Sequence, residues 1–226
     1  MTDLSLELDA RARQSRGASA DAIYAMVAAL IAERHSAGGV VADVGCGTGA
    51  LWQHVRGRFD RCFGVDAVRY DGLDSGVEFV AHDLDRPTIP LPDGCAQVVT
   101  AVETIEHLEN PWAFVRELAR LAAPGGWVVV TTPNQLSALS KMTLVLKNGF
   151  NAFQAASYPA HRTALLEVDL RRLVDEAKLT DVAVRFSGRG RLPLSGAHYP
   201  RVVSRMWPRG CSDNVAIVAR KPGVAG

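Results

Sequence analysis

Residues Val40 to Gly49 read V-V-A-D-V-G-C-G-T-G, an apolar run, a carboxylate, and three glycines alternating with Cys46 and Thr48. This pattern describes a buried strand entering a tight loop. Glycine is needed where the backbone turns through positive φ or where a ligand must touch the main chain. Gly45, Gly47 and Gly49, with Cys46 between them, therefore suit a loop whose amides face a bulky ligand at the start of the next helix. Asp43 adds a carboxylate at the mouth of that loop. A negative charge there repels a pyrophosphate and suits a ligand that carries an ammonium and a sulfonium.

Three further acids extend the set. Asp66, seventeen residues beyond Gly49, suits ribose hydroxyls; Asp83 suits an adenine amino group while the Leu84 amide meets a ring nitrogen; Glu103 precedes Thr104-Ile105-Glu106-His107-Leu108. A strand-end Asp by itself is an ordinary turn former. Four acids in register on one sheet edge point instead to a sulfonium nucleoside, S-adenosylmethionine (SAM).

The elements that position these residues alternate. Strands are predicted at Val40–Val44, Arg61–Val65, Val77–Ala81, Gln97–Ala101, Trp127–Thr132, Asp181–Ser187 and Asn214–Arg220. Helices are predicted over Ala20–Ser36 (capped by Ser19 or Asp21), Ala50–Arg56, Pro111–Ala122 (burying Trp112), Ser137–Leu146 and Leu166–Leu179. Pro124-Gly125-Gly126 is a breaker between helix and strand. Such alternation implies an α/β fold, a parallel sheet covered on both faces, with ligands beyond the carboxyl ends of its strands. Residues 1–18 are expected to be a flexible lead, and 19–226 a single domain with substrate-side insertions near 147–163 and 188–212.

The chain of 226 residues has a formal net charge of +1, which gives no global attraction to nucleic acid or membrane. Its four cysteines form no C-x-x-C pair, so neither a zinc site nor a disulfide framework is indicated. No apolar run reaches the length of a membrane span and the polar N-terminus is no secretory signal, so a cytoplasmic location is expected.

On V-A-D-V-G-C-G-T-G, F-G-V-D, A-H-D-L-D, V-E-T-I-E-H-L-E-N-P and L-A-A-P-G-G-W-V-V-V-T-T-P-N, the chain resembles the class I SAM-dependent methyltransferases, the bacterial small-molecule type above all. The resemblance implies a seven-stranded, Rossmann-like sheet whose last strand is antiparallel. It places Asp43 and the glycines at the methionine part of SAM, Asp66 at the ribose, Asp83 and Leu84 at the adenine, and Glu103 under the methionyl end. Gly45-x-Gly47-x-x-Ala50 also satisfies a dinucleotide fingerprint. Asp43, Asp83 and the P-G-G turn argue against that alternative.

Methyl transfer from a sulfonium is an in-line displacement, and a hydroxyl nucleophile must also lose its proton. His107, after the fourth strand, and His161, after a segment (Gly149 to Ser157) able to fold as a lid, are the two expected bases. Glu103, Glu106, His107 and His161 are also similar to metal-binding sets of the ubiquinone-pathway O-methyltransferases and small-RNA 2′-O-methyltransferases; the favoured reading uses no metal. Between the last two strands, Gly188 to Gly210 holds Arg189, Arg191, Arg201, Arg205 and Arg209 without an acid, which suits an anionic small or carrier-bound acceptor better than RNA. The rivals are a metal-assisted RNA 2′-O-methyltransferase and a non-catalytic SAM-binding protein.

Overall fold

A computed structural model describes residues 17–223. Of the expected N-terminal lead, residues 1–16 lie outside the described residues. Gly17 and Ala18 line a cavity. Seven strands, β1 (Val40–Val44), β2 (Arg61–Asp66), β3 (Val77–Ala81), β4 (Ala96–Ala101), β5 (Ala122–Pro133), β6 (Thr180–Phe186) and β7 (Asn214–Arg220), form one sheet in the order β3-β2-β1-β4-β5-β7-β6. Strands β1 to β5 pair in parallel, and β7 runs antiparallel to both β5 and β6. The strand order reverses between β1 and β4. Residues leaving these two strands therefore flank the crevice where such sheets bind ligands.

Alternation along the strands builds two cores. Ala42, Val99, Val128 and Val130 face helices α3 (Pro111–Leu121) and α5 (Glu167–Glu176) through Phe114, Leu118 and Leu170. Val41, Val98 and Val129 face α1 (Asp21–Ala32) and α2 (Ala50–Val55) through Val27, Leu51 and Trp52. Each fully buried Leu contributes about 1.5–3 kcal/mol, so this two-sided burial holds the strand ends in place.

Several local expectations need correction. Helix α1 is capped by neither Ser19 nor Asp21, since its N-cap is Ala20 with no side-chain bond; the Ser19 amide donates to the Tyr24 hydroxyl instead. Trp112 is half-buried, and Phe114 takes the core position; Asn110 caps α3 by accepting from the Ala113 amide. Pro124-Gly125-Gly126 does not delay β5 until Trp127. The strand starts at Ala122, and the triplet forms an irregularity where the pairing with β4 shifts register. Helix α4 (Ala138–Lys147) is capped by Ser137, and the insertion between β6 and β7 contains one short helix, α6 (Arg201–Met206).

Candidate cofactor and catalytic site

A cavity of about 250 Å³ opens past the carboxyl ends of β1 to β4. Gly45 (φ +81°) and Gly47 (φ +51°) form its floor in the left-handed region, which side chains rarely occupy. Close approach adds a second constraint. A Cβ on Gly45 would run into Thr104, and one on Gly47 into the Gly17 carbonyl. The Thr48 amide donates to that same carbonyl at 2.8 Å, and the Tyr70 ring lies against Gly17. The segment Gly17–Ser19 is thereby drawn across the glycine loop as one wall of the cavity.

Asp66 ends β2 with one carboxylate oxygen accepting from the Gly47 amide at 2.8 Å. Burial pushes its pKa up, and that amide opposes the shift. Asp83 and Leu84 follow β3 and line the same cavity. Glu103 follows β4 at φ +50°, a conformation costly for a side-chain-bearing residue. It is held at three points: Thr131 accepts its amide and donates to one carboxylate oxygen at 2.8 Å, and Asn214 donates to the other at 2.7 Å. Burial pushes both Glu103 and Glu106 above the carboxylate range, and the Glu103 charge adds to the shift in Glu106.

Of the nine residues expected to hold SAM, Gly45, Gly47, Asp66, Asp83, Leu84 and Glu103 line this cavity, while Asp43, Cys46 and Gly49 do not. Asp43 lies beneath the loop rather than at its mouth. It is 5% exposed, accepts from the Thr100 hydroxyl at 2.8 Å, and burial pushes its pKa up to about 7. Cys46 is buried beside Gly64, its thiol pushed up by burial, and Gly49 precedes α2 against Leu73. These three shape the loop from behind because the strand's alternation turns Asp43 into the sheet.

On the β4 side, a single 3-10 turn, Ile105–His107, carries Glu106 and His107. The segment before α5 docks on it. The Glu106 carbonyl accepts the Arg162 and Thr163 amides, and the Thr163 hydroxyl donates to the Leu108 carbonyl. This brings His161 to His107 with ring centroids 4.9 Å apart, edge to face. Both rings place Nδ1 against a backbone carbonyl, His107 on Ala160 at 2.7 Å and His161 on Ala152 at 2.6 Å. A ring that donates from Nδ1 keeps its basic lone pair on Nε2. Ligand atoms of Glu106, His107 and His161 lie within 4.8 Å of one another; Glu103, held by Thr131 and Asn214, is outside that group.

A family model described as a methyltransferase domain matches residues 17–184. The chain belongs to the methyltransferase-domain family. Within this methyltransferase family it is similar to ajmaline N-methyltransferase of Rauvolfia serpentina, 29% identical over 63% of this chain and 56% of that one. It is also similar to ubiquinone biosynthesis O-methyltransferase of Bordetella bronchiseptica, 35% identical over 42% of this chain and 43% of that one. The chain thus spans about half the length of these curated relatives. A SAM-dependent methyltransferase structure from Archaeoglobus fulgidus shares the fold, with a TM-score of 0.64 at 17% identity over 88% of this chain and 94% of that one. The cofactor of this methyltransferase domain is SAM. The cavity fits it: Asp66, Asp83 and Glu103 line it beside a glycine floor, and burial raises the pKa of Asp66 and Glu103, whose ionised forms a cationic ligand favours.

Tyr24, Tyr70, Thr104 and the Gly17–Ser19 wall escaped the sequence reading. Tyr24 belongs to the helical apolar pattern of α1, and nothing in its spacing marks it as a cavity residue. Thr104 and Gly17 lie against the glycine loop, and Tyr70 lies against Gly17.

A second cavity, about 630 Å³, adjoins the first. Asn214 lines it while holding Glu103, and Ala152 lines it while its carbonyl holds His161. Arg189, Arg191 and His198 of the 188–212 insertion also reach it. Arg191 is paired with Asp213 at 2.7 Å; Arg189 has no ion pair among the described residues.

Proposed function

We propose that the chain transfers the methyl group of SAM to a hydroxyl oxygen of a small or carrier-bound acceptor that bears an anionic group. The observation that carries this reading is the His107–His161 pair in the wall of the first cavity, beside Glu103 and Glu106. Bound SAM supplies an electrophilic methyl group: a C–O bond forms, the S–CH3 bond breaks, and the acceptor's proton must be taken up. Asp66 serves the ribose, Asp83 and Leu84 the adenine, and Glu103 the methionyl ammonium. The buried Asp43 carboxyl, held by Thr100, supports the loop from below. His107 Nε2 takes the proton, since its Nδ1 is committed to Ala160, and His161 holds that ring from the side. Arg189 meets the acceptor's anionic group in the second cavity.

The test is transfer of radiolabelled methyl from SAM to separate pools of nucleotide sugars, phenols and short RNAs. Labelling of an acidic small molecule on oxygen, lost in His107→Ala, supports the reading. Labelling of RNA alone, or SAM binding with no acceptor in any pool, replaces it with one of the two rivals.

The clustering of Glu106, His107 and His161 favours a second reading, in which these three residues hold a divalent cation. One carboxylate and two imidazoles whose Nδ1 atoms are anchored by carbonyls fit such an ion. When bound, it would lower the pKa of the acceptor hydroxyl. Activity that survives exhaustive chelation, in protein shown by elemental analysis to be metal-free, rejects this reading.

A further inference from the structure

We infer that helices α4 and α6 together form a face that docks on the surface of an anionic lipid bilayer. This inference is independent of the acceptor assigned above. The last turn of α4 leaves Val145 83% and Leu146 68% exposed, and α6 leaves Met206 82% and the adjoining Trp207 55% exposed. Val202, one helical turn before Met206, is also exposed, and Ser204 is the buried residue of α6. The start of α4 meets the turn that follows α6: the Ala138 amide donates to the Gly210 carbonyl at 2.8 Å, and the Lys141 ammonium lies 5.4 Å from the ring centroid of Trp207, the residue after α6. Val145 shares a helix face with Lys141. The outward apolar groups of both helices therefore belong to one surface. Clusters of this kind mark interaction sites rather than ordinary exposed residues.

Charge selects the occupant. No Asp or Glu occurs from Leu118 to Leu166 or from Gly188 to Ser212, although the whole chain is near neutrality. Lys141, Lys147, Arg201 and Arg205 stand among the apolar side chains and have no ion pair among the described residues, whereas Arg209 pairs with Glu167 at 2.7 Å. A two-fold contact between copies sets the same patch against itself, bringing cation against cation. A bilayer of anionic lipid supplies both complements at once: headgroup charge for the cations and an acyl boundary for Val, Leu, Met and Trp. Ser137, which caps α4, and Ser140 within it are buried and line the second cavity.

Flotation of the full chain with phosphatidylcholine vesicles, with and without phosphatidylglycerol, tests the inference. Binding is expected to vesicles containing phosphatidylglycerol at low salt, and added salt should release it. Met206→Ser with Trp207→Ser, and separately Arg201→Glu with Arg205→Glu, should each reduce bound protein about tenfold or more. SAM affinity by calorimetry should stay unchanged, which shows that the variants fold. Absence of binding at low salt, or equal binding by both variants, overturns the inference. A dimer in light scattering that Met206→Ser with Trp207→Ser dissolves, without vesicle binding, gives the face to a second copy and also overturns it.

Discussion

The Asn214 side-chain amide donates to a Glu103 carboxylate oxygen across 2.7 Å, joining the start of the last strand to the residue that leaves β4 at positive φ. Because Glu103 is buried, each lost partner bears on how readily it carries a charge. Asn214→Ala should weaken SAM binding about tenfold, the value of one hydrogen bond to a charged group. Calorimetric titration checks this; an unaltered dissociation constant would remove Glu103 from the methionyl contact.

Asp66 is engaged by the Gly47 amide in this structure. Asp66→Ala should lower SAM affinity by about 10- to 100-fold, and Asp66→Asn, which keeps one acceptor oxygen, by less. Circular dichroism should show both variants folded. Equal, wild-type affinities would discard the ribose assignment.

Gly47 has no room for a methyl group, since the Gly17 carbonyl occupies that space and the backbone lies at φ +51°. Gly47→Ala should displace the Gly17–Ser19 wall and cost about 1–3 kcal/mol in strain. The variant is expected to show a lower melting temperature and faster hydrogen exchange at Thr48, whose amide donates to Gly17. Unchanged exchange at Thr48 would separate the loop from the wall.

His107→Ala should reduce turnover by about 10²- to 10⁴-fold, the usual contribution of a positioned base, while SAM affinity changes by less than about threefold. Single-turnover rates and calorimetry together make the comparison. Parallel losses in both would assign His107 to packing against the cofactor instead.

Asp43 has a pKa of about 7 in the fold against an ordinary value of 3.8, so the native protein holds a proton that the unfolded chain releases. Its stabilising contribution is complete below the unfolded value and declines as pH rises toward 7. The apo protein should therefore lose stability on the order of a few kcal/mol from this group between about pH 4 and about pH 7. Asp43→Asn should flatten that slope in urea denaturation, and so should saturating SAM, whose positive charge favours the carboxylate. Identical slopes in wild type and variant would mean that Asp43 is ionised throughout.

Most of the sheet was legible because its signals are local. Val40–Val44, Val77–Ala81 and Asn214–Arg220 have the bounds expected from their apolar runs, and β7 is antiparallel, as the resemblance implied for the last strand. Errors arose where two local signals competed. Pro124-Gly125-Gly126 reads as a terminator, yet pairing with β4 carries the strand through it. Ser19 reads as a helix cap, yet its amide is taken by Tyr24.

The residue order alone determined the strand-to-glycine loop, the acids after β2, β3 and β4, and hence a cleft for a cationic nucleoside, because strand periodicity and glycine's backbone freedom act within a few residues. Only the tertiary structure decided that Asp43 lies under the loop, that Gly17 crosses it, and that His161 meets His107 fifty-four positions away. Those placements depend on side chains competing for buried space and on carbonyls such as Ala160 and Ala152 that must find donors. Neither requirement can be evaluated until distant segments are packed together.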